Sequence, residues 1–404
     1  MTNLPQGWEV KKLGDIAEIQ IGKTPSRNNI DFFQGENIWL SIRDLKSKFV
    51  SSSSEKISNE AISKTNMKVV PKGTLLMSFK LTLGKTAFAE CDLYTNEAIA
   101  AIFIKNKNIN KYFLDYVLKF TDLEKYVDNT VKGKTLNKQK LKQIEILLPK
   151  NIKEQERIVG ILDESFAKID ESIKILEQNL LNLDELMQSA LQKAFNPLKD
   201  NAKENYKLPQ GWEWKNLGEI GEIITGTTPS KNNPNFYGNE YPLFKPSDLN
   251  GDIIIKYASD NLSKLGFDNA RNLPKDTILV VCIGASIGKV GLSGVNGSCN
   301  QQINAIIPNS AFTSKYLFFV CLSNYFQTIL KKNASQTTLP IINKTEFSKL
   351  QIPLPPIKEQ EQIASHLDEL SSHVKNLKQN YQAQIKDLQE LKKSLLDKAF
   401  KGNL

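Results

Sequence analysis

The sequence is poor in the side chains that do chemistry. Among 404 residues there are two histidines, His366 and His373, and four cysteines, Cys91, Cys282, Cys299 and Cys321, with no CxxC pair. That spacing excludes the common zinc sites and a disulfide framework, and two histidines leave little for imidazole catalysis. Long apolar runs are missing as well. The longest, residues 278–284 and 316–322, fall far short of the ~20 residues that span a bilayer. No basic stretch followed by an apolar one opens the chain, so a soluble, cytoplasmic protein is expected. Phosphate-binding loops fail on inspection. Residues 22–24, 84–86 and 133–135 each read Gly-Lys-Thr, but the glycine such a loop needs five residues earlier is replaced by Ala17, Phe79 and Asp128. The Asn/Asp-Pro-Pro-aromatic motif of amino-methyltransferases is approached only at residues 233–236 and fails at Asn235. No GxSxG or HExxH occurs. The expectation is a protein without catalysis, metal or cofactor of its own.

What is present is written twice. Residues 4–29 read LPQGWEVKKLGDIAEIQIGKTPSRNN and residues 208–233 read LPQGWEWKNLGEIGEIITGTTPSKNN, about 18 of 26 positions being identical. A second pair follows: Ile152 to Glu156 with Ile158, Leu162, Asp163 and Glu164 is matched by Ile357 to Glu361 with Ile363, Leu367, Asp368 and Glu369. The same register carries Ala194-Phe195 onto Ala399-Phe400. Between these ends the similarity weakens but persists, as where Asn96-Glu97 echoes Asn300-Gln301. Four segments result: a globular block at residues 1–150, a helix at 151–196, a second block at 197–356 and a second helix at 357–404. Similar ends with divergent middles point to one framework presenting two different surfaces.

In the first helical segment Ile158, Leu162, Phe166, Ile169, Ile173, Leu176, Leu180, Leu183, Met187, Ala190 and Ala194 alternate spacings of three and four, the seam of a coiled coil. The second gives Ile363, Leu367, Leu370, Val374, Leu377, Tyr381, Ile385, Leu388, Leu391, Leu395 and Ala399. Neither seam can remain in water, and the two have equal length, so the helices are expected to pack on each other. Heptads alone leave their relative direction open.

The blocks mix short β-rich runs, at residues 16–21, 38–42, 74–79, 98–104 and 144–148 in the first copy and 220–225, 253–255, 277–282 and 303–307 in the second, with short helices at 111–120 and 314–322. The class is α+β, two loop-rich mixed α/β domains in a pseudo-two-fold repeat. The net charge of +9 is unevenly spread: about +8 over residues 1–150 and +4 over 196–356, against about −4 and +1 for the two helical segments. Excess positive charge on the blocks is what a surface that neutralises phosphates requires, although a lysine-rich surface also serves solubility alone. Trp8 and Trp212, in the repeated LPQGW, read as core anchors. Asp44 and Asp248, which recur in the repeat, read as caps of the turn after a strand.

The pattern LPxGWxxxxLGxIxEIxxGxTPS, a divergent block, IKEQExIxxxLDE and a long heptad run ending in KAF together resemble the specificity subunit of type I restriction–modification systems, over essentially the whole chain. The resemblance implies two target-recognition domains, each reading one half of a bipartite site in double-stranded DNA. It implies that the helices form an antiparallel coiled coil that sets the spacer and docks methyltransferase subunits, with the restriction subunits joining through them. Methylation, S-adenosylmethionine and ATP use would then belong to the partners. A recognition subunit of a type IIB-like enzyme is the alternative.

On that reading, the shared loops at residues 22–29 and 226–233 clamp the DNA backbone, with hydroxyls from Thr24, Ser26, Thr228 and Ser230 and charge from Arg27 and Lys231; a plain turn supporting the fold is the competing role. Base readout is expected where the copies differ: Arg43, Lys46 and Lys80 in the first block, Lys245, Ser247 and Asn250 in the second. Lys134 and Thr135, and Gln336 and Thr337, are further candidates in loops. The acidic first helix is expected to be a partner surface, and deleting residues 158–183 to abolish assembly while the first block still folds. Arg43→Ala is expected to cost ~1–3 kcal/mol of binding and to relax a single base position; equal weakening toward every sequence in a binding assay would make Arg43 a phosphate contact.

Overall fold

The computed structural model describes residues 4–130, 133–195, 208–335 and 339–404; of residues 128–130 and 133–135 the backbone alone is described. The chain divides into two compact units. Unit 1 comprises Met1–Ile175 with Gln384–Leu404, and unit 2 comprises Leu176–Ala383.

Among the described residues, unit 1 is built on a five-stranded sheet in the order Ala17–Ile21, Ile99–Ile104, Leu75–Ser78, Thr86–Ala89, Phe49–Val50. The pairings are antiparallel except the last, where Phe49–Val50 runs parallel to Thr86–Ala89. Leu75, Leu76, Met77 and Ser78 are all buried, as a central strand covered on both faces demands. A three-stranded sheet carries Glu55–Ile57, Asn37–Leu40 and Tyr94–Thr95 in that order. Trp8–Lys12 closes on Glu145–Pro149, from Trp8 opposite Pro149 to Lys12 opposite Glu145. The helix Lys111–Phe120 opens where Asn110 accepts from the amides of Tyr112 and Phe113.

Unit 2 repeats this plan on a divergent sequence. Its five-stranded sheet runs Ile223–Thr225, Ile303–Ile306, Ile278–Val281, Val290–Ser293, Ile254–Ile255, and its three-stranded sheet runs Asp260–Leu262, Tyr237–Phe244, Ser298–Cys299. Several strands escape a pattern reading, Trp8–Lys12, Glu55–Ile57 and Gln351–Leu354 among them. Thr86–Ala89 and its counterpart Val290–Ser293 are short, with alanine or glycine inside, and become strands because Leu75–Ser78 and Ile278–Val281 offer them a ladder. Tyr237–Phe244 contains Gly238, Asn239, Glu240 and Pro242, the vocabulary of a loop, and is accommodated by an irregularity between Tyr237 and Tyr241.

The two long helices span Ile152–Ala194 and Ile357–Phe400. Each begins on a buried glutamine of the repeated IKEQE. Gln155 donates to the carbonyls of Pro149 at 2.9 Å and Asn108 at 3.1 Å, and accepts from the Asn110 amide at 2.9 Å. Gln360 does the same with Pro355, Ala311 and Thr313. One side chain thus ties the helix start to the strand before it and to the helix that packs on the sheet. The aspartate of the LDE motif is also tied down, Asp163 by Lys48 at 2.6 Å and by the Tyr116 hydroxyl, Asp368 by Lys315.

Within unit 1 the helical segments are antiparallel: the Arg157 guanidinium donates to the carbonyl of Leu404, while Asp170 pairs with Lys392. Ala399 and Phe400 enter the same core as Ile158, Val159 and Leu162, with the Phe400 ring 5.7 Å from Phe113 and 4.9 Å from Phe120. Within unit 2, Asp184 pairs with Lys378, and Leu191 and Phe195 share the core of Ala364 and Leu367; Phe195 meets Tyr316 edge-on at 5.8 Å. The repeated KAF therefore fills a core in each unit. Two positions of the second heptad seam, Leu377 and Leu391, are exposed at 40% and 45%; Lys392, not Leu391, lies against Phe166. Trp8 is buried edge-on to Phe113, whereas Trp212 is only half-buried.

One sequence-based expectation fails here. Deleting residues 158–183 removes Ile158, Val159 and Leu162 from the unit 1 core, so the first block cannot fold intact without them. Truncating Phe400 to alanine should cost unit 1 ~3–5 kcal/mol. Hydrogen exchange is the check: amides of the central strand Leu75–Ser78 should lose protection, while Phe195→Ala should do the same to the amides of Ile278–Val281.

Candidate nucleic-acid interface

In each unit the loop after the first sheet strand, the turn after Asn37–Leu40 or Tyr237–Phe244, and the strand beginning at Glu55 or Asp260 are drawn together. The loop comes first. Gly22 lies against the backbone of Thr95 and Asn96, and Gly226 against that of Cys299 and Asn300, so closely that any Cβ would collide with their carbonyls. Lys23 donates from its amide to Thr95 O at 2.9 Å and from its ammonium to Thr65 O at 2.8 Å. The indole of Trp39 donates to Lys23 O at 3.0 Å. Thr24 donates its hydroxyl to the Glu97 carboxylate, and Thr228 donates its own to Gln301 at 2.7 Å. Expected to offer hydroxyls to a DNA backbone, both threonines spend their protons inside the protein. The shared Gly-x-Thr-Pro-Ser is thus accounted for by the fold: the glycine permits close approach and the threonine anchors the loop. Ser26 and Ser230 remain exposed.

The turn is held by an aspartate. Asp44 accepts from the Ser41 amide and hydroxyl, both at 2.7 Å, and from the Ser54 amide at 2.9 Å. Burial pushes this carboxyl up, but the hydrogen bonds from Ser41 and Ser54 bring it below its ordinary value. Asp248 likewise accepts from the amides of Lys245 at 2.8 Å and Ser259 at 3.0 Å. These aspartates are the turn caps read from the sequence.

The strand then contributes a carboxylate that two cations share. Arg27 grips Glu55 with both terminal nitrogens, and Arg43 donates to the same carboxylate. The Arg27 guanidinium also lies 4.3 Å from the Phe33 ring centre and 5.3 Å from that of Trp39. Arg43 is steadied further by Ser41, 3.1 Å from its Nε. In unit 2 Asp260 takes the place of Glu55: Lys245 pairs with it, and the ammonium of Lys231 stands 4.0 Å away. Hydrogen bonding from Arg27 holds the Glu55 carboxyl below its ordinary value against partial burial, with the charges of Arg27 and Arg43 adding to the effect. The Lys245 hydrogen bond does the same for Asp260.

Four residues named from the sequence, Arg27, Arg43, Lys231 and Lys245, are therefore gathered into two equivalent nodes. Lys46, Ser247 and Asn250 sit exposed on the same turns. Lys80 stands apart, 5.7 Å over the Phe79 ring, beside Leu81, which adopts a left-handed backbone at φ 61°. Gln336 and Thr337 lie outside the described residues, as do the side chains of Lys134 and Thr135. Sequence reading missed Glu55, Asp260, Glu97 and Gln301. The last two stand at the matched positions of the repeat already noted, where no role was read for them; the first two lie within dissimilar segments, SSSSEK and YASDNL, and carry no such signal.

Burial raises the thiols of Cys282 and Cys299 to about 12, which suppresses their nucleophilicity. Among the described residues, no three His, Cys, Asp or Glu side chains converge as metal ligands, and no helix is long and apolar enough to cross a membrane.

Residues 5–181 and 209–387 both match the family described as type I restriction modification DNA specificity domain. The chain belongs to that family. The MjaIX type I restriction enzyme specificity subunit of Methanocaldococcus jannaschii is 25% identical across 99% of this chain and 94% of its own length. The HindI specificity subunit of Haemophilus influenzae is 33% identical over 49% of this chain and 42% of its own. Among solved structures, a chain from a study of complex assembly and conformational transition in a type I restriction–modification system superposes with a TM-score of 0.80 at 20% identity over the full length of both chains. The HsdS subunit of Thermoanaerobacter tengcongensis gives 0.60 at 22%, covering 100% of this chain and 98% of its own. At those identities the likeness is one of fold, and both family copies carry the node.

A carboxylate whose folded value is depressed adds stability that is complete above its ordinary value and is lost as pH falls through the depressed one. Glu55 and Asp260, with ordinary values of 4.5 and 3.8, should therefore destabilise the turns only on acidification below that range. Urea midpoints measured from about pH 6 to about pH 3 should fall less steeply for Glu55→Gln and Asp260→Asn than for the wild-type chain.

Proposed function

We propose that this chain is the DNA-recognition subunit of a type I restriction–modification complex, in which each target-recognition domain reads one half of a bipartite site. The observation that carries the proposal is the double occurrence of one DNA-specificity domain, in which the same loops present arginines in the first copy and lysines in the second. Phosphate contacts position a protein while base contacts specify it, so a shared frame with unlike cations is the arrangement expected of two heads reading unlike sequences. The positive charge of the two blocks supports a DNA partner. The type I relatives favour this assignment over a type IIB-like recognition subunit.

The chain contributes the address and no chemistry. Methyl transfer is assigned to methyltransferase subunits, two copies of which the repeat can seat pseudo-equivalently, and translocation and cleavage to restriction subunits bound through them. In this assembly the paired helices set the number of base pairs between half-sites. The proposed domain limits are residues 1–150 and 197–356 for the reading heads and 151–196 and 357–404 for the helices, and the proposed site is the cytoplasm, where the DNA lies.

Methylome sequencing of cells expressing the chain with its methyltransferase partner tests this. A split motif with a gap of fixed length is expected, and replacing residues 1–150 by the block of a relative should change one half of the motif only. An uninterrupted motif, or a gap of variable length, would refute the proposal.

A further inference from the structure

The carboxylates at the centre of the two nodes are in an unexpected place. A surface evolved only to hold phosphates gains nothing from an acid among its cations, since the acid repels the backbone it must approach. Yet both copies retain one, at the first residue of equivalent strands, and each is contacted from the same two directions: by a cation from the repeated loop and by a cation from the turn capped by Asp44 or Asp248. The identities differ in every member. Arginine, glutamate and arginine in unit 1 become lysine, aspartate and lysine in unit 2. The turn cation even moves, from Arg43, the third residue of its turn, to Lys245, the first of its own, with Ser41 and Ser247 at the vacated positions. A purely local ion pair needs no such matched replacement of all three members.

We infer that Glu55 and Asp260 are specificity-determining positioning residues of the two reading heads, each holding two cationic side chains in fixed orientations and cancelling part of their charge. The inference rests on the recognition role proposed above. Three constraints fix Arg27: the two-pronged grip on Glu55, the Phe33 face and the Trp39 face. With both terminal nitrogens on Glu55, the edge formed by Nε–H and the adjacent terminal N–H is the donor pair left in a fixed orientation, and such a pair is what bidentate readout of a base edge requires. Charge cancellation acts alongside orientation. With Glu55 between them, and the Glu97 carboxylate also acting on Arg27, Arg27 and Arg43 are weak attractors for an arbitrary phosphate. Sequence-independent binding is thereby held down and the ratio of specific to non-specific affinity raised. In unit 2 the counterpart of Glu97 is the neutral Gln301, so that node keeps more positive charge and should grip the backbone harder.

The test uses the full chain assembled with its methyltransferase subunits. Binding is measured to four duplexes over a salt series: the cognate site, a site with one substitution in the first half, a site with one in the second half, and a duplex lacking both halves. For Glu55→Gln the expected results are tighter binding to the unrelated duplex, a steeper salt dependence by about one counterion, and a roughly tenfold loss of discrimination against substitutions in one half-site, the other half being read as before. Asp260→Asn should produce the mirror image, losing discrimination in the opposite half, and supplies the test if Glu55→Gln does not fold. Glu55→Asp, which keeps the charge, should restore the salt dependence. Unchanged discrimination and salt dependence in a folded Glu55→Gln complex would overturn the inference while leaving the recognition role intact. Equal loss at both halves together with a lower melting temperature would make Glu55 a structural ion-pair partner and likewise overturn it. If the wild-type complex shows no preference for a bipartite duplex, the recognition role fails, and the positioning role with it.

Discussion

Both units depend on the burial of a helix end that is remote in sequence from most of the core it completes. Ala399 and Phe400 join Leu13, Ile16, Phe113 and Leu148 in unit 1, and Phe195 joins Leu217, Tyr316 and Ile352 in unit 2. Each long helix starts against the block that precedes it, through Gln155 or Gln360, and finishes as a side chain in a hydrophobic core. The driving force is ordinary: a fully buried phenylalanine ring contributes ~1.5–3 kcal/mol by removal from water alone. Its consequence is that neither block is a free-standing module. The helices are part of the domains as much as connectors between them.

With that frame closed, the sheets can carry loops whose sequence is free to vary. The five-stranded sheet has its central strand buried on both faces in each unit, and the smaller sheet is held together by short pairings of its own, such as Leu40 opposite Thr95 and Phe244 opposite Cys299. The repeated part of the loop is consumed in attaching it to this scaffold, Gly22 by contact and Thr24 by hydrogen bond. In the role proposed above, recognition falls to the side chains beyond that anchor, from Arg27 and Lys231 onward. Anchoring and reading are thus divided along a few residues of one loop.

The electrostatics of the nodes explain why a moderate net charge is compatible with a DNA-binding role. Positive charge in excess raises affinity for all duplexes alike. On the inference drawn above, carboxylates placed among the cations trade some of that attraction for orientation, with guanidinium groups in unit 1 and ammonium groups in unit 2. Arginine offers a planar fork and lysine a single rotatable point charge, so the heads differ in kind as well as in position.

The repeat, the helices and the α+β class were legible from the sequence because each is a periodic or repeated signal: identity at a fixed offset, spacings of three and four, alternation bounded by glycine and proline. So was the role of Asp44 and Asp248, since an aspartate after a strand caps locally. Residue order alone also identified Arg27, Arg43, Lys231 and Lys245 as cations of interest. It carried no information on what they face. That Glu55 sits between Arg27 and Arg43, that Thr24 is spent on Glu97, and that Phe400 belongs to a core beginning with Trp8 all depend on contacts between residues far apart in the chain. Such contacts leave no period in the sequence, and only the folding of the backbone into sheets and paired helices decides them.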